Sequence, residues 1–416
     1  MTHKPKWKRL LALMMSSFIV CGATACGSSD TEESEESQTT EEEEEETTLF
    51  DTYVSNTVIA TGNHTVITHA ESVTYRAWFP VEEAGSFNYC FYFSNTVDST
   101  MDDGSLAYAG MSGGSYTIES AYISDGGTEF DANVEPTSTV QITFDGETTK
   151  DVEPDETFWS DPVEFDVPEG HYLLWEWTIT GEDIPAITMS NLAYSYRDKG
   201  DGNGFIYTNE IPLPQLIGCD RDVETRIVTL GDSITQGCGT SEFEYQFWAA
   251  QTLDLLGAED YSLWNLGLGY SRATDCAIGG DWLERAIEGA DIITVAFGTN
   301  DIVSGAYGGD GSSSADEIET AVRSITSACT EAGVTTILWN SPPFDLTDEL
   351  DAIRVEYNSR VESIADDCGA IYFDVASLLA DSSDASQTIY GQHPDDEGCA
   401  VIADALVEVI QGLTES

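Results

Sequence analysis

The sequence is poor in positive charge: its 416 residues include 15 lysines and arginines against 76 aspartates and glutamates, a net charge of −61. A surface this acidic repels phosphate backbones and anionic lipid headgroups. We therefore expect no nucleic-acid partner and no docking to a membrane through a basic patch. Neutral and cationic partners remain compatible with this charge.

Cysteine is scarce and irregularly spaced. Beyond the first 26 residues the chain has an odd number of cysteines, namely Cys90, Cys219, Cys238, Cys276, Cys329, Cys368 and Cys399. The odd number and the absence of a Cys-x-x-Cys pair argue against a disulfide framework, a zinc ribbon and a redox motif. We expect these residues to be buried free thiols.

The N-terminal apolar run is too short to cross a bilayer comfortably. Residues 10–20 are apolar and follow a cluster of basic residues at positions 4–9, which is typical of a secretory signal. The segment ends in Ala23-Thr24-Ala25-Cys26-Gly27, which resembles a bacterial lipoprotein processing site. We expect residues 1–26 to be a lipoprotein-type signal with Cys26 lipidated, and the protein to be secreted and held at the cell surface by that anchor. Plain cleavage after Ala25 is the alternative.

Composition divides the rest of the chain into three parts. Residues 27–49 consist mostly of Ser, Thr and Glu and predict an acidic disordered linker. Residues 50–218 contain short stretches rich in aromatic and β-branched residues between turns, which predicts an all-β accessory domain, a sandwich of jelly-roll type. Residues 219–416 alternate apolar strands with helical patterns, which predicts an α/β domain with a parallel sheet.

Two features of the predicted sandwich are candidate binding elements. The first is a set of four tryptophans, Trp78, Trp159, Trp175 and Trp177. Tryptophan side chains can stack on sugar rings, but they are more often core residues. The acidic segment 98–103 is a candidate calcium site, but it lacks the spacing of an EF-hand. We therefore expect the tryptophans in the core and the acidic segment in a solvated turn.

The most informative segment of the second domain follows its first strand. The apolar residues 226–230 lead into Gly231-Asp232-Ser233-Ile234-Thr235-Gln236-Gly237 and then into a helical pattern from about Phe243 to Leu256. Ligands bind at the carboxyl ends of the strands in such sheets. A serine in this turn is presented at the sheet edge, and its own backbone N–H can point into the site, as an oxyanion donor should.

This turn resembles the nucleophile block of the SGNH or GDSL hydrolase superfamily, and two later segments resemble other blocks of the same superfamily. Gly298-Thr299-Asn300-Asp301 follows a predicted middle strand, and His393-Pro394 precedes the last predicted helix. The resemblance implies a three-layer α/β/α hydrolase in which Ser233 and His393 are catalytic. It also implies that Asn300 donates its side-chain amide to the oxyanion together with the Ser233 N–H. Asp301 is expected to be a loop-stabilising hydrogen-bond acceptor.

The number of histidines points to the same base independently of the family. A serine hydroxyl needs a general base poised near neutrality, and histidine is the usual one. His393 is the one histidine among residues 219–416. The same number argues against a zinc site of two histidines and a carboxylate in this domain. We expect no metal and no cofactor.

The first departure from the family pattern concerns the oxyanion hole. Residues 265–271 resemble the family's second block, but the usual donor glycine falls on Tyr270, with Gly269 just before it. A backbone N–H donates whatever the side chain is. Gly269 and Tyr270 therefore both stay candidate donors.

The second departure concerns the catalytic acid. The family's acid lies three residues before the histidine, and that position is Tyr390 here. A backbone carbonyl can hold the imidazole instead, as in some carbohydrate esterases of this superfamily, so we predict a Ser-His dyad. Asp384 and Asp395 are the candidate acids of a non-standard triad, although Asp395 and Asp396 are better placed to cap the last helix.

The order of the domains is similar to that of two-domain secreted carbohydrate esterases. This resemblance implies a serine esterase that removes acyl groups, chiefly acetyl, from extracellular polysaccharide or oligosaccharide. The alternatives are a lipid or lysophospholipid esterase, a cell-wall O-acetyl esterase, and a tethered carbohydrate-binding protein that has lost activity. The last alternative is motivated by Tyr390. The sandwich either braces the catalytic domain or supplies one wall of its cleft.

Overall fold

A computed structural model of the chain describes residues 48–101, 104–304, 311–380 and 393–414. The predictions for residues 1–47, among them lipidation of Cys26, lie outside the described residues, as do those for Asp384 and Tyr390. No helix in the described part of the chain is long and apolar enough to cross a membrane.

Antiparallel strands build the first domain. A 3-10 turn, Leu49–Asp51, precedes the strands β1 Val54–Ser55, β2 Thr65–Pro80, β3 Gly85–Ser94, β4 Tyr116–Asp125, β5 Thr137–Gln141, β6 Lys150–Val152, β7 Thr157–Trp159, β8 Val163–Val167, β9 Tyr172–Thr188, β10 Ser195–Asp198, β11 Ile206–Tyr207, β12 Glu210–Ile211 and β13 Leu216–Cys219. One sheet has the order β1-β13-β3-β7, with β8 also paired to β3. The other has the order β11-β10-β2-β9-β4-β5, with β6 on β4 and β12 on β9.

The two sheets pack face to face through aromatic side chains. Ring centroids are 4.8 Å apart between Phe91 of β3 and Trp175 of β9, and 5.7 Å apart between Phe93 and Trp177 of the same strands. Alternate residues of a strand share a face, so each pair points into the space between the sheets. All four predicted core tryptophans lie in or against a hydrophobic cluster. The predicted β-sandwich is confirmed, and its jelly-roll type stays a prediction.

Parallel strands and helices build the second domain. The elements are β14 Thr225–Gly231, α1 Ser233–Gln236, α2 Trp248–Leu256, β15 Tyr261–Gly267, α3 Ala273–Cys276, α4 Asp281–Glu288, β16 Ile292–Ala296, α5 Thr299–Val303, α6 Ala315–Glu331, β17 Thr335–Trp339, α7 Asp348–Cys368, β18 Ile371–Phe373, α8 Val375–Ala380 and α9 Asp396–Thr414. The five strands are parallel in the order β15-β14-β16-β17-β18. The predicted α/β/α domain is confirmed. Cys219, predicted to open it, instead ends the last strand of the sandwich.

The strand order places a crevice beside the first strand of this sheet. The chain leaves β14 toward β15 on one side and later returns to pair β16 on the other. Such a reversal leaves a cleft at the carboxyl ends of the strands, where ligands bind in open α/β sheets. Ser233 follows β14 and Asn300 follows β16, so both lie at this cleft.

Helix α2 begins later than its sequence pattern predicts. The pattern extends back to Phe243, but Phe243 and Tyr245 have φ of +60° and +54°, which an α-helix does not allow. The Phe243 ring stacks on Tyr194 of the sandwich, with centroids 4.2 Å apart. Packing between the domains therefore overrides the local helical pattern, and the helix starts at Trp248.

The prediction of a solvated acidic turn is wrong for Asp98. Its side chain is 1% exposed, and its Oδ2 lies 2.6 Å from Nη2 of Arg285, a residue of α4 that is fully buried. A second bond joins Oδ1 to Nη1 at 2.9 Å. This bidentate pair connects the two domains, and removing either partner would leave an unpaired buried charge.

The seven cysteines of the described residues are free thiols. Five are buried, and Cys238 and Cys368 are partly buried. Burial raises the pKa of Cys238 to about 11 and that of Cys399 to about 12, so these groups are protonated near neutral pH. The expectation of free thiols is confirmed, with partial exposure at two positions.

Candidate active site

The segment after β14 holds Ser233 at the carboxyl edge of the sheet. Asp232 has an extended backbone and is the N-cap of α1, which begins at Ser233. Its carboxylate accepts a hydrogen bond from the Ile234 N–H at 2.9 Å. Gly231 permits the close approach of β16, since a Cβ there would lie 2.8 Å from the carbonyl oxygen of Ala296. The serine is thus fixed on rigid backbone at the cleft.

Ser233 and His393 meet although they are 160 residues apart in the sequence. Ser233 Oγ lies 2.7 Å from His393 Nε2, and both side chains are partly buried. The Phe344 ring packs edge-on against the imidazole with centroids 6.1 Å apart. Gly239 leaves room for the histidine, because a Cβ there would lie 2.4 Å from His393 Cβ. The distance between oxygen and nitrogen suits proton transfer.

The protonation state of His393 is set by its surroundings. Burial lowers the pKa of His393 below its ordinary value of 6.5, so the ring is neutral at pH 7. A neutral ring that accepts at Nε2 carries its proton on Nδ1. Among the described residues no group accepts a hydrogen bond from Nδ1, and no carboxylate pairs with the ring. Among the described residues, Ser233 is therefore the hydrogen-bond partner of the His393 ring.

Of the two candidate acids, only Asp395 is among the described residues. Its Oδ1 accepts the Gly398 N–H at 2.9 Å, so it caps α9. Asp396, also expected to cap this helix, lies in its first turn and binds Ser241 instead, through the backbone N–H at 2.8 Å and the hydroxyl at 2.5 Å. The contacts of Asp395 are thus to a helix terminus, and Asp384 lies outside the described residues.

The two candidate backbone donors lie in a turn after β15. The Ser271 N–H donates to the Leu268 carbonyl at 3.2 Å, and Tyr270, third in this turn, has φ of +66°, a position that favours glycine. The Gly269 N–H donates to Gln236 Oε1 at 2.9 Å. The Tyr270 N–H forms no hydrogen bond with the described residues. Tyr270 therefore carries the uncommitted donor, and Gly269 does not.

Asn300 and Asp301 occupy different positions at the start of α5. Asn300 Nδ2 donates to the Ser271 carbonyl at 2.9 Å, and because an amide has two N–H groups, this bond orients the side chain and leaves a second donor. The Asp301 carboxylate accepts the Ala273 N–H at 2.8 Å and the Thr274 N–H at 3.2 Å. Asp301 is thus the loop-stabilising acceptor that the sequence predicted.

One cavity of about 200 Å³ brings together the predicted nucleophile, the predicted base and the candidate oxyanion donors. Its lining includes Ser233, Gly269, Tyr270, Asn300 and His393. Within the described residues, no group of three or more His, Cys, Asp or Glu side chains is arranged to hold a metal ion. The site thus combines a hydroxyl, an imidazole and uncommitted N–H donors.

Sequence reasoning did not single out the residues that the sandwich adds to this cavity. They are His64, Met101, Thr188 and Ser190. No motif surrounds them, and they lie in separate segments of an all-β domain, so local sequence carries no signal for them. Of the two roles expected for the sandwich, it has at least that of a cleft wall.

The site lies in a region that matches a known family. Residues 229–401 match the model of the GDSL-like lipase/acylhydrolase family. This part of the second domain therefore resembles a GDSL-like acylhydrolase. The match includes Ser233, Asn300 and His393 and excludes the sandwich. No curated protein sequence matches the chain.

Solved structures resemble the GDSL-like domain at low sequence identity. An acetylxylan esterase from Geobacillus stearothermophilus is 21% identical with a TM-score of 0.38, over 45% of this chain and 94% of that one. An α/β hydrolase from the metagenome of Lake Arreo is 20% identical with a TM-score of 0.38, over 45% and 94%. A G-D-S-L family lipolytic protein from Veillonella parvula is 21% identical with a TM-score of 0.38, over 45% and 98%.

Proposed function

We propose that this protein is a serine esterase that removes acetyl groups from extracellular carbohydrate. The observation that carries the proposal is the 2.7 Å contact between Ser233 Oγ and His393 Nε2 inside the cavity. Acyl transfer needs a nucleophile, a base and oxyanion donors in one place. Tyr270 and Asn300 add the donors at the same cavity.

The geometry supports a two-step reaction. Ser233 Oγ attacks the ester carbonyl while His393 Nε2 takes its proton, and the carbonyl oxygen becomes an oxyanion held by N–H donors of Ser233, Tyr270 and Asn300. The ester C–O bond then breaks, and His393 gives the proton to the departing sugar oxygen, which leaves as a hydroxyl. Water next attacks the acyl-enzyme with His393 as base, which releases acetate and restores Ser233.

The size and setting of the cavity support a short acyl group on a neutral polymer. Its volume of about 200 Å³ is below the roughly 300–1,000 Å³ typical of pockets for drug-sized ligands. The acyl group and part of the alcohol share this space, which favours a short acyl group. The net charge of −61 disfavours anionic lipid surfaces and is compatible with uncharged polysaccharide.

The proposal is tested with p-nitrophenyl esters of increasing acyl length. We expect kcat/KM for the octanoyl ester to be at least about tenfold below that for the acetyl ester, because overfilling a packed site costs on the order of 1–3 kcal/mol. A preference for octanoyl would favour the lipid esterase instead. No hydrolysis of any ester by the wild-type protein would favour the inactive sugar-binding protein.

Acetate release from acetylated xylan, mannan, pectin and peptidoglycan tests the carbohydrate part of the proposal. We expect release from at least one plant polysaccharide. Release from peptidoglycan alone would favour the cell-wall O-acetyl esterase. Hydrolysis of p-nitrophenyl acetate with no release from any polymer would contradict a carbohydrate substrate while leaving the esterase assignment intact.

The pH profile should report the lowered pKa of His393. Only the neutral imidazole accepts a proton, and burial moves its protonation below pH 6.5. We expect kcat/KM for p-nitrophenyl acetate to be constant from pH 8 down to a midpoint below 6.5, then to fall about tenfold per pH unit. Circular dichroism at each pH separates this loss from unfolding. An acid limb centred at or above pH 6.5 in folded protein would contradict the assignment of the base.

A further inference from the structure

Four hydrogen bonds form a closed ring between the domains beside the cavity. The Thr188 N–H donates to His64 Nε2 at 2.9 Å, and His64 Nδ1 lies 2.9 Å from the Gly269 carbonyl oxygen. The Gly269 N–H donates to Gln236 Oε1 at 2.9 Å, and Gln236 Nε2 donates to the Thr188 carbonyl at 2.7 Å. Of the four residues in the ring, two belong to the sandwich, His64 and Thr188, and two to the hydrolase domain, Gln236 and Gly269.

The ring determines the tautomer of His64. A backbone N–H can only donate, so the bond from Thr188 makes Nε2 an acceptor and places the ring proton on Nδ1. The Nδ1–H therefore donates to the Gly269 carbonyl. His64 is 1% exposed, and burial lowers its pKa to about 4, so the neutral ring persists at neutral pH. Water does not compete for these bonds, because Gln236 is also 1% exposed.

The bond from His64 orients the peptide bond that carries the uncommitted donor. In a planar trans peptide the C=O and the following N–H point in opposite directions. Because the Gly269 carbonyl points toward His64, the Tyr270 N–H of the same peptide points away from His64. The positive φ of Tyr270 is costly for a residue with a Cβ, so this turn needs support from its surroundings.

We propose that His64 is a positioning residue that holds the Tyr270 N–H in the oxyanion hole from the sandwich domain. The inference rests on the proposed esterase function. It makes the sandwich part of the catalytic apparatus as well as a wall of the cleft. Sequence order hides this relation, since His64 and Gly269 are 205 residues apart.

Two substitutions of similar size separate the two bonds of His64. In His64→Gln the amide group replaces Nε2, so the bond from Thr188 is kept and the donor to Gly269 is lost. In His64→Asn the amide group replaces Nδ1, so the donor to Gly269 is kept. We expect His64→Gln to lower kcat for p-nitrophenyl acetate about 10- to 100-fold with KM within about threefold, the scale of a misplaced catalytic group. We expect His64→Asn to stay within about fivefold of the wild-type kcat.

Ser99→Ala is the control for a lost hydrogen bond at the same interface. Ser99 is fully buried in the sandwich, and its hydroxyl donates to Asp275 Oδ2 of the hydrolase domain at 3.2 Å. We expect this variant to keep the wild-type kcat, even where its melting temperature falls. A loss of kcat in Ser99→Ala equal to that in His64→Gln would show that any weakening of the interface has the effect, and would overturn the proposal.

Gln236→Met provides a second route should His64→Gln fail to fold. It breaks the ring from the hydrolase side, because methionine has no N–H for the Thr188 carbonyl and its thioether is only a weak acceptor for the Gly269 N–H. We expect the same selective loss of kcat. An unchanged kcat in whichever of these two variants folds, with Ser233→Ala inactive, would overturn the positioning role and leave the esterase function standing. Full activity of Ser233→Ala would overturn the proposed function itself.

Discussion

Ser233→Ala is expected to lower kcat for p-nitrophenyl acetate by about 10⁴-fold or more, with KM nearly unchanged. Alanine has no atom that can form the acyl-enzyme, and the 2.7 Å contact with His393 Nε2 is lost with the hydroxyl. The backbone N–H of residue 233 and the donors at Tyr270 and Asn300 stay in place. A small residual rate over water is therefore expected from binding and oxyanion stabilisation alone.

Steady-state kinetics with purified protein measures this effect, and Ser359→Ala is the matched control. Ser359 is exposed on α7, and its hydroxyl donates to the backbone carbonyl of Glu356 at 2.7 Å. We expect the control to keep full activity and both variants to melt within a few degrees of the wild type. Retention of more than about 1% of kcat by Ser233→Ala would contradict the role of nucleophile. A serine-directed organophosphonate should label the wild type at Ser233 and leave the variant unmodified.

His393→Ala is expected to lower kcat by a similar factor, about 10⁴-fold or more, because the nucleophile and its base act as a unit. Removing the ring enlarges the cavity that His393 lines. Added imidazole should enter this space and restore part of the activity in proportion to its concentration, while Ser233→Ala should show no such rescue. Wild-type kcat in a folded His393→Ala protein would contradict the role of base.

The same assay separates a dyad from a triad. Asp384→Asn and Asp395→Asn are each expected to change kcat by less than about tenfold, since a carbonyl can fix the imidazole tautomer without a carboxylate. Asparagine also caps helices well, so Asp395→Asn should keep the stability that the bond to Gly398 provides. A loss of about a thousandfold in either folded variant would overturn the dyad and identify the acid.

The sequence predicted the elements of both domains because their signals are local. Apolar strands alternating with amphipathic helices are typical of a parallel sheet, and strand β17, Thr335–Trp339, is one such apolar run. Ser233 and Asn300 were recognisable because each follows a strand of this sheet directly. His393 was recognisable because the second domain offers no other imidazole.

The rest of the site depends on contacts between residues far apart in the sequence. Asp98 is in a segment that looks like a solvated turn, and its burial is decided by Arg285, 187 residues later. The choice between Gly269 and Tyr270 depends on the side chain of Gln236, which engages the first of the two N–H groups. No local pattern encodes either fact, since propensity and periodicity describe a residue's own element and not its partner.

The shared cavity has a consequence for how such an enzyme changes over evolutionary time. Part of the wall around the reacting groups is encoded by the end of β9 and by loops of the sandwich, on a different stretch of gene from the serine and the histidine. Mutations there can change which ester is accepted without altering the serine or the histidine. An exchange of the first half of the gene for an unrelated one would remove these wall residues together with the packing between the domains.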